Sequence, residues 1–229
     1  MGVRGSREEA GRTCCWGYVM TEPTPAVRYT LDARPTLYRG IKFRSRLEAR
    51  WAAFFDLVEW RWQYEPVEID GYNPDFLIEG HPGPIIVEVK PLATITTAQR
   101  DSIAPRLARC ALALGNAEPL ILGLGPRDLN GQYNPGMGGH PLGLLGEGPY
   151  PTDPTGESFS WGLAVLGYWE RQTTLGFCHG EQSFHDRISG QHDGGCYGAG
   201  KRQWTEADSI QHWNTAGNIV RFAVKRSRR

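Results

Sequence analysis

Apolar and polar positions along residues 72–91, YNPDFLIEGHPGPIIVEVKP, form two short apolar runs separated by a Gly/Pro turn. This pattern predicts two β-strands joined in a hairpin. Side chains alternate between the faces of a strand, so we expect Glu88 and Lys90 on one face of the second strand and Val87 and Val89 on the other. One face is therefore predicted to pack in the core, and the other to carry chemistry.

Three charged side chains of this hairpin form a candidate site. Pairing of the strands can bring Asp75 beside Glu88, and Lys90 lies two residues further on. Two neighbouring carboxylates repel each other, and a hard divalent cation such as Mg²⁺ is the common remedy where phosphates are also bound. Lys90 would then orient a water molecule or balance charge at an attacked phosphodiester. The alternative is a turn residue at Asp75 and a solvated face carrying Glu88 and Lys90.

A helix is predicted to begin at Ser45, because apolar residues recur after it at helical spacing. These residues are Leu47, Trp51, Phe54, Phe55 and Val58. Glu48 lies beside this apolar stripe, one turn from Ala52, whose small side chain leaves room for a carboxylate. Ser45 and Glu48 also form the S-x-x-E pattern of a capping box, so Glu48 has a structural interpretation beside a functional one.

The elements around the hairpin follow from the same kind of pattern. Residues 61–69 alternate as a half-buried strand, residues 98–114 have helical spacing, and residues 118–123 form a continuous apolar run typical of a buried strand. Pro105 would start or kink the helix, and Gly115 would end it. With the hairpin, the predicted order is α, β, β, β, α, β.

Loss of periodicity divides the rest of the chain. Residues 1–26 have no sustained period, and we expect them to be loosely ordered. Residues 126–156 are rich in Gly and Pro, which predicts a linker or insertion after a core of residues 27–125. Residues 157–229 would then be a smaller carboxy-terminal module with a closing helix at 205–220 and a basic tail.

Composition narrows the class of protein. The 229 residues carry 25 basic and 25 acidic side chains, so any affinity for nucleic acid has to be local. Five cysteines, an odd number, are not the framework of a secreted disulfide protein. No apolar run approaches the ~20 residues that cross a bilayer, and the first residues lack a secretory signal, with Met20 as an alternative start. We expect a cytoplasmic protein of a bacterium or an infected cell, with no membrane partner.

Basic side chains crowd the segment around the start of the first predicted helix. A basic cluster beside a metal site is what a nucleic-acid backbone needs for counterion displacement, whereas the alternative is an ordinary solvated face. The DNA contacts predicted on this basis are Tyr38, Arg39, Lys42, Arg44, Arg46 and Arg50.

Cysteines and histidines gather around a Gly-rich stretch of the carboxy-terminal module. Thiolate and imidazole ligands suit tetrahedral zinc, which would contribute folding energy to a small module. The predicted ligands of a structural Zn²⁺ are Cys178, His185, His192 and Cys196. Neither cysteine has a C-x-x-C partner, so isolated cysteines and surface histidines are the alternative.

The pattern Pro74-Asp75, a spacer and then Glu88-Val89-Lys90 resembles the PD-(D/E)XK motif of restriction-endonuclease-like nucleases. The segments YRGIKFRSRLEARWAAFF, WQYEP, YNPDF and VEVKP are similar in order to phage and prophage members and to the nuclease domain of transposon-type endonucleases. The resemblance covers roughly residues 38–124. It implies an α/β fold with a restriction-endonuclease-like core, in which helices flank a mixed sheet in the order α-β-β-β-α-β.

The function that the resemblance implies is a DNA endonuclease dependent on Mg²⁺ or Mn²⁺ and associated with a phage or mobile element. Asp75 and Glu88 would hold the metal with the carbonyl of Val89, Glu48 would complete its shell or hold a second ion, and Lys90 would position the nucleophile. Two alternatives stay open. One is a non-catalytic DNA-binding or assembly protein on the same scaffold, and the other is a subunit that cuts only with a partner in a recombination or transposition complex. A homodimer is also open.

Overall fold

The computed structural model describes seven stretches of the chain. They are residues 34–115, 117–126, 140–150, 159–169, 172–178, 186–190 and 206–226. Every helix and strand below belongs to one compact unit, Ala33–Arg229. The prediction for residues 1–26 lies outside the described residues.

Nine strands and three helices make up the described unit. The strands are β1 (Thr36–Tyr38), β2 (Ile41–Phe43), β3 (Trp62–Tyr64), β4 (Phe76–Ile78), β5 (Ile85–Val89), β6 (Glu118–Leu122), β7 (His140–Glu147), β8 (Ser160–Trp169) and β9 (Gln172–Cys178). The helices are α1 (Arg46–Leu57), α2 (Thr97–Ala113) and α3 (Glu206–Arg226). Strands β1 and β2 form a separate antiparallel hairpin, and the other seven form one sheet in chain order from β3 to β9.

The sheet is mixed, which confirms the predicted α/β class. Strands β5 and β6 run parallel and are joined through α2, whereas the other neighbouring strands pair antiparallel. A parallel pair requires a crossover long enough to return the chain to the same end of the sheet, and α2 provides it. The predicted order α, β, β, β, α, β is found in α1, β3, β4, β5, α2 and β6.

Helices cover both faces of the sheet. Val87 and Val89 point to the face where α1 and α3 pack, with Trp51 and Trp213 in contact at 4.6 Å between ring centroids. Ile86 points to the opposite face, where it packs in a second core with α2. The alternation predicted for β5 is therefore confirmed, and it places Glu88 on the face that carries α2.

The helices begin within one residue of their predicted starts, whereas α3 continues to Arg226, six residues beyond its predicted end. Ser45 caps α1, and its side-chain oxygen accepts a hydrogen bond from the N–H of Glu48 at 3.1 Å. Thr96 caps α2 in a complete capping box with Gln99, and Pro105 lies inside this helix rather than at its start. Within the described residues, no helix combines the length and the apolar character that spanning a membrane requires.

The carboxy-terminal half differs from the predicted linker and separate module. Strand β7 lies within the stretch predicted to be a linker, and β8 and β9 extend the same sheet that contains β5. Glycine has a packing role here, because a Cβ atom at Gly143 would lie 2.0 Å from the carbonyl oxygen of Ile121 on the neighbouring strand. The sequence alone does not distinguish a glycine that is required because two strands lie close together from a glycine of a linker.

An ion-pair cluster centred on the buried residues Arg187 and Glu118 joins β6 to β7. The guanidinium of Arg187 donates to both carboxylate oxygens of Glu118, at 2.8 and 3.2 Å, and to one oxygen of Glu147 at 3.0 Å. The hydroxyl of Tyr150 donates to the second oxygen of Glu147. We call these four residues the Arg187 cluster, and each of its four carboxylate oxygens has a donor.

Candidate active site

Asp75 and Glu88 lie side by side on neighbouring strands. Phe76 pairs with Val87 in the register of β4 and β5, so the preceding residue, Asp75, is opposite Glu88. Both residues are buried, with 2% and 3% of their surface exposed. One oxygen of Asp75, Oδ2, accepts a hydrogen bond from the backbone N–H of Val89 at 2.7 Å. The carboxylate pair predicted from the sequence is thus formed.

Lys90 lies immediately after β5, where its ammonium forms an ion pair with Oε1 of Glu88. Its backbone N–H donates to the carbonyl of Leu122 at 2.9 Å, which fixes the residue at the end of the parallel strand pair. The Lys90 side chain is 40% exposed, so its amine lies at the boundary between the site and solvent. The second oxygen of Glu88, Oε2, is buried and accepts no hydrogen bond from any described residue.

Arg44 contacts the carboxylate group while about half of its side chain, 53%, stays exposed. Its guanidinium forms an ion pair with Oδ1 of Asp75 and contacts Oε1 of Glu65 at 2.8 Å. Oε2 of Glu48 lies 3.9 Å from its Nε atom. Arg44 thus lies as a cation among three carboxylates, and its predicted contact with DNA stays a prediction.

Glu48 faces the same group from α1. Its Oε2 atom accepts hydrogen bonds from the hydroxyl of Tyr64 at 2.6 Å and from the backbone N–H of Arg44 at 3.1 Å. The capping box is therefore half formed, because the Ser45 side chain caps the helix while the Glu48 carboxylate binds Arg44 and Tyr64. Glu48 is at the edge of the site, next to Arg44. We refer to Arg44, Glu48, Asp75, Glu88 and Lys90 together as the carboxylate site.

Burial and repulsion between carboxylates raise the pKa of Asp75 in the carboxylate site. The pKa of Asp75 is raised to about 7, first by burial and then by the neighbouring charge of Glu88, with Glu48 adding a smaller effect. The hydrogen bond from Val89 and the charge of Arg44 oppose this rise. Negative charge is thus only partly balanced at Asp75, which is the condition under which a further cation binds favourably.

The chemistry of the donors fits a hard divalent cation. All donors are oxygens, and one of them, Oε2 of Glu88, is buried without a partner among the described residues. Mg²⁺ and Mn²⁺ accept such oxygens and are often held by only one or two carboxylates. Within the described ranges, no group of three Asp, Glu, His or Cys side chains is arranged to hold a metal ion. The fit therefore rests on the pair Asp75 and Glu88, and the role of Glu48 as a further ligand stays a prediction.

The predicted DNA contacts have different surroundings. The hydroxyl of Tyr38 and the guanidinium of Arg39 both bind Asp56, at 2.7 and 3.0 Å. Arg50 lies over the ring of Trp213, 3.9 Å from its centroid, and donates to the carbonyl of that residue. Arg50 therefore joins α1 to α3. The remaining two residues, Lys42 and Arg46, have exposed side chains.

The predicted zinc ligands fall almost entirely outside the described residues. Cys178 ends β9, but its side chain is not described, and His185, His192 and Cys196 lie outside the described ranges. The zinc site stays a prediction.

Three polar residues near the site were not among the site residues predicted from the sequence. Tyr64 binds Glu48, and Tyr72 lies close to Glu88, where burial and then this carboxylate raise the pKa of the phenol above its usual range. Oδ1 of Asn73 is buried without a partner among the described residues. Tyr64 alternates with Trp62 on a half-buried strand, and in the sequence only its hydroxyl distinguishes it from a core aromatic residue.

Comparisons with known proteins leave the family open. A scan against protein-family models, a search of curated proteins and a search of solved structures found no match to this chain. What the chain does is therefore argued from its own residues and their geometry.

Proposed function

We propose that the chain is a metal-dependent DNA endonuclease that hydrolyses phosphodiester bonds, built on a PD-(D/E)XK nuclease core. The observation that carries the proposal is the buried pair Asp75 and Glu88, with the amine of Lys90 on one oxygen of Glu88 and its other oxygen without a partner among the described residues. If these charged residues lay on an ordinary solvent-exposed face, their carboxylates would not be buried to this extent.

The position of the motif within the fold supports the proposal. Asp75 immediately precedes β4, Glu88 lies within β5, and Lys90 follows it at the end of the parallel strand pair. Ligand sites of open α/β sheets commonly lie outside the carboxyl ends of the strands. The order of helices and strands from α1 to β6 is also the order expected of a restriction-endonuclease-like core.

The two carboxylates have the role of holding the cation. Asp75 and Glu88 would hold Mg²⁺ or Mn²⁺, with the carbonyl of Val89 in reach at the same end of the strand. A bound divalent cation would supply Lewis-acid chemistry at a phosphate oxygen. Without it, Arg44 and Lys90 provide the positive charge, since each forms an ion pair with one of the two carboxylates.

Lys90 and Tyr72 supply hydrogen-bond donors to the site. The partly exposed amine of Lys90 would donate to a phosphate oxygen and stabilise the negative charge that develops on it. The phenol of Tyr72 is protonated at neutral pH, as that of any ordinary tyrosine is, so its hydroxyl can act as a donor.

Two substitutions test the assignment. Asp75→Ala removes a proposed metal ligand and Lys90→Ala removes the donor, so each should lower the rate of Mg²⁺-dependent cleavage of plasmid or single-stranded DNA by at least about 100-fold. Cleavage is followed by gel electrophoresis, and circular dichroism verifies that the variants fold. Asp101→Asn and Arg61→Ala are matched controls, because both residues are exposed and outside the site.

Other results would redirect the proposal. Cleavage by both variants at the parent rate would remove these residues from the site. DNA binding by the parent with no cleavage in Mn²⁺ would favour a non-catalytic protein on a nuclease scaffold. Inactivity that a second protein restores would identify a subunit of a recombination or transposition complex.

A further inference from the structure

A cavity of about 320 Å³ lies between helix α2 and the tight turn that precedes Asp75. Asp70 and Tyr72 of the turn line it on one side, and Arg106 and Arg109 of α2 line it on the other. We infer that Arg106 and Arg109 bind backbone phosphates of the DNA strand that reaches the carboxylate site, and that this cavity admits the strand. The inference rests on the proposed nuclease function and assigns its substrate path.

The cavity and the carboxylate site share a wall. Tyr72 lines the cavity, and its phenol is close enough to Glu88 for that carboxylate to perturb it. Cys110 also lines the cavity and is within electrostatic reach of both Arg109 and Glu88. A ligand bound in the cavity would therefore lie next to the proposed metal ligand.

The orientation of Glu88 favours approach from this side. Ile86 shares a face of β5 with Glu88 and packs in the core formed with α2. Helix α1, which carries Arg46, packs on the opposite face of the sheet. A strand that brings a phosphate to Glu88 can therefore pass along α2, on the side of the site opposite Arg46.

Arg106 and Arg109 have the chemistry of phosphate ligands. They lie one helical turn apart on α2, so their side chains project from the same face. Both are exposed, and neither forms an ion pair with another described residue. A guanidinium donates two parallel hydrogen bonds to a phosphate, which an ammonium cannot do. By contrast, Arg39 and Arg44 are already paired with carboxylates.

Charge at the cavity also favours an anion. Asp70 is the acidic residue of its lining, opposite the two arginines, so the lining carries a net positive charge. Tyr72 adds a protonated hydroxyl, which is a further donor. A nucleic-acid backbone matches this combination, because each phosphate accepts from both kinds of group.

The inference can be tested by measuring DNA binding without catalysis. The full chain and its Arg106→Gln, Arg109→Gln and doubly substituted variants are titrated against a fluorescent single-stranded oligonucleotide in EDTA, at salt concentrations between about 50 and 200 mM. Arg100→Gln is the matched control, since it removes the same charge from the same helix outside the cavity lining. Glutamine is a good helix former, so α2 is expected to persist.

Each single substitution in the cavity should weaken binding about tenfold. The double variant should lower the slope of log K against log salt by about 1.4, because each phosphate contact on a single strand contributes about 0.7. Arg109→Lys should recover part of the lost affinity, because it restores the charge without the planar fork. Arg100→Gln should bind within about twofold of the parent, as expected of a surface charge outside the contact.

The outcomes separate this inference from the proposed function. Binding by the double variant with the affinity and salt slope of Arg100→Gln overturns the inference, even if cleavage depends on Asp75. Binding that requires Arg106 and Arg109 in a protein that does not cleave in Mn²⁺ keeps the phosphate contacts and removes the nuclease proposal. A parent protein that binds no oligonucleotide in EDTA overturns the inference, whereas the cleavage assay in Mg²⁺ decides the proposed function separately.

Discussion

Two clusters of buried charge occupy opposite ends of the parallel strands β5 and β6. The Arg187 cluster lies where β6 begins at Glu118, and the carboxylate site lies where β5 ends after Glu88. Each places a guanidinium against buried carboxylates. In the Arg187 cluster every carboxylate oxygen has a donor, whereas at the carboxylate site Oε2 of Glu88 has none among the described residues and the pKa of Asp75 is raised to about 7.

The difference separates a structural network from a site prepared for a ligand. Burying charge is costly, and a fully hydrogen-bonded network minimises that cost. At the carboxylate site, one oxygen has no donor among the described residues and the charge of Asp75 is only partly balanced. Part of the free-energy cost of burying charge therefore remains there, and a bound cation would offset it. The two clusters should therefore respond in opposite directions when one charged group is removed.

Removal of the guanidinium from the Arg187 cluster should have the largest effect on stability. Arg187→Met would leave the buried carboxylate of Glu118 without its partner, and breaking a buried pair in this way costs about 3–5 kcal/mol. Urea denaturation measures the change in the free energy of unfolding. Arg61→Met removes an exposed partner of Glu79 and should change stability by less than about 1 kcal/mol. Similar losses in the two variants would mean that the Arg187 cluster is not a buried network.

Removal of a charge from the carboxylate site should instead stabilise the protein. The pKa of Asp75 is about 7 in the folded chain and about 4 when unfolded, so the folded state binds more protons between these values and loses stability as the pH rises from 4 to 7. Asp75→Asn removes this loss and should be more stable than the parent at pH 8 by about 2–3 kcal/mol, with a smaller gap at pH 5. Thermal denaturation at the two pH values measures the gap.

The effect of Mg²⁺ on stability is a second way to distinguish the carboxylate site from the Arg187 cluster. A cation that binds only the folded chain raises its melting temperature, and it should do so for the parent at pH 8 but not for Asp75→Asn. If Asp75→Asn is as destabilised as Arg187→Met and Mg²⁺ changes neither melting temperature, the carboxylate site is a structural network like the other one.

The smallest effect is expected at the edge of the carboxylate site. Tyr64→Phe removes the hydrogen bond to Glu48 and should cost about 1 kcal/mol, because the Glu48 carboxylate keeps the donor at the Arg44 backbone. Urea denaturation would detect it, with Tyr150→Phe as a comparison in the Arg187 cluster. A loss as large as that of Arg187→Met would show that Glu48 depends on Tyr64 alone.

Local patterns were sufficient to predict the centre of the fold. Alternation on β5 placed Glu88 and Val87 on opposite faces, and helical spacing after Ser45 located α1. The Gly/Pro turn fixed the hairpin and therefore the register that brings Asp75 to Glu88. These features depend on neighbours in sequence, which is why a single sequence contains them.

The remainder depends on contacts between distant residues. Strand β7 was missed, because Gly143 is required by the backbone of Ile121 and not by a turn, and so was the place of β8 and β9 in the same sheet. The position of Arg44 on Asp75 was also missed, since a long side chain can reach several partners and its choice depends on how β2, β3 and β4 meet. Trp213 covers Trp51 from a helix far along the chain, and no local period reveals that contact.

The packing of α3 against α1 has a consequence for synthesis of the chain. Helix α1 leaves the ribosome long before α3, and the aromatic surface around Trp51 and Phe54 stays without its cover until Trp213 has been made. Contacts between segments so far apart form late, after the intervening strands are available. A nascent chain would therefore keep this aromatic side of α1 exposed until α3 had been translated, although Phe55 could already pack on Phe76 of the sheet.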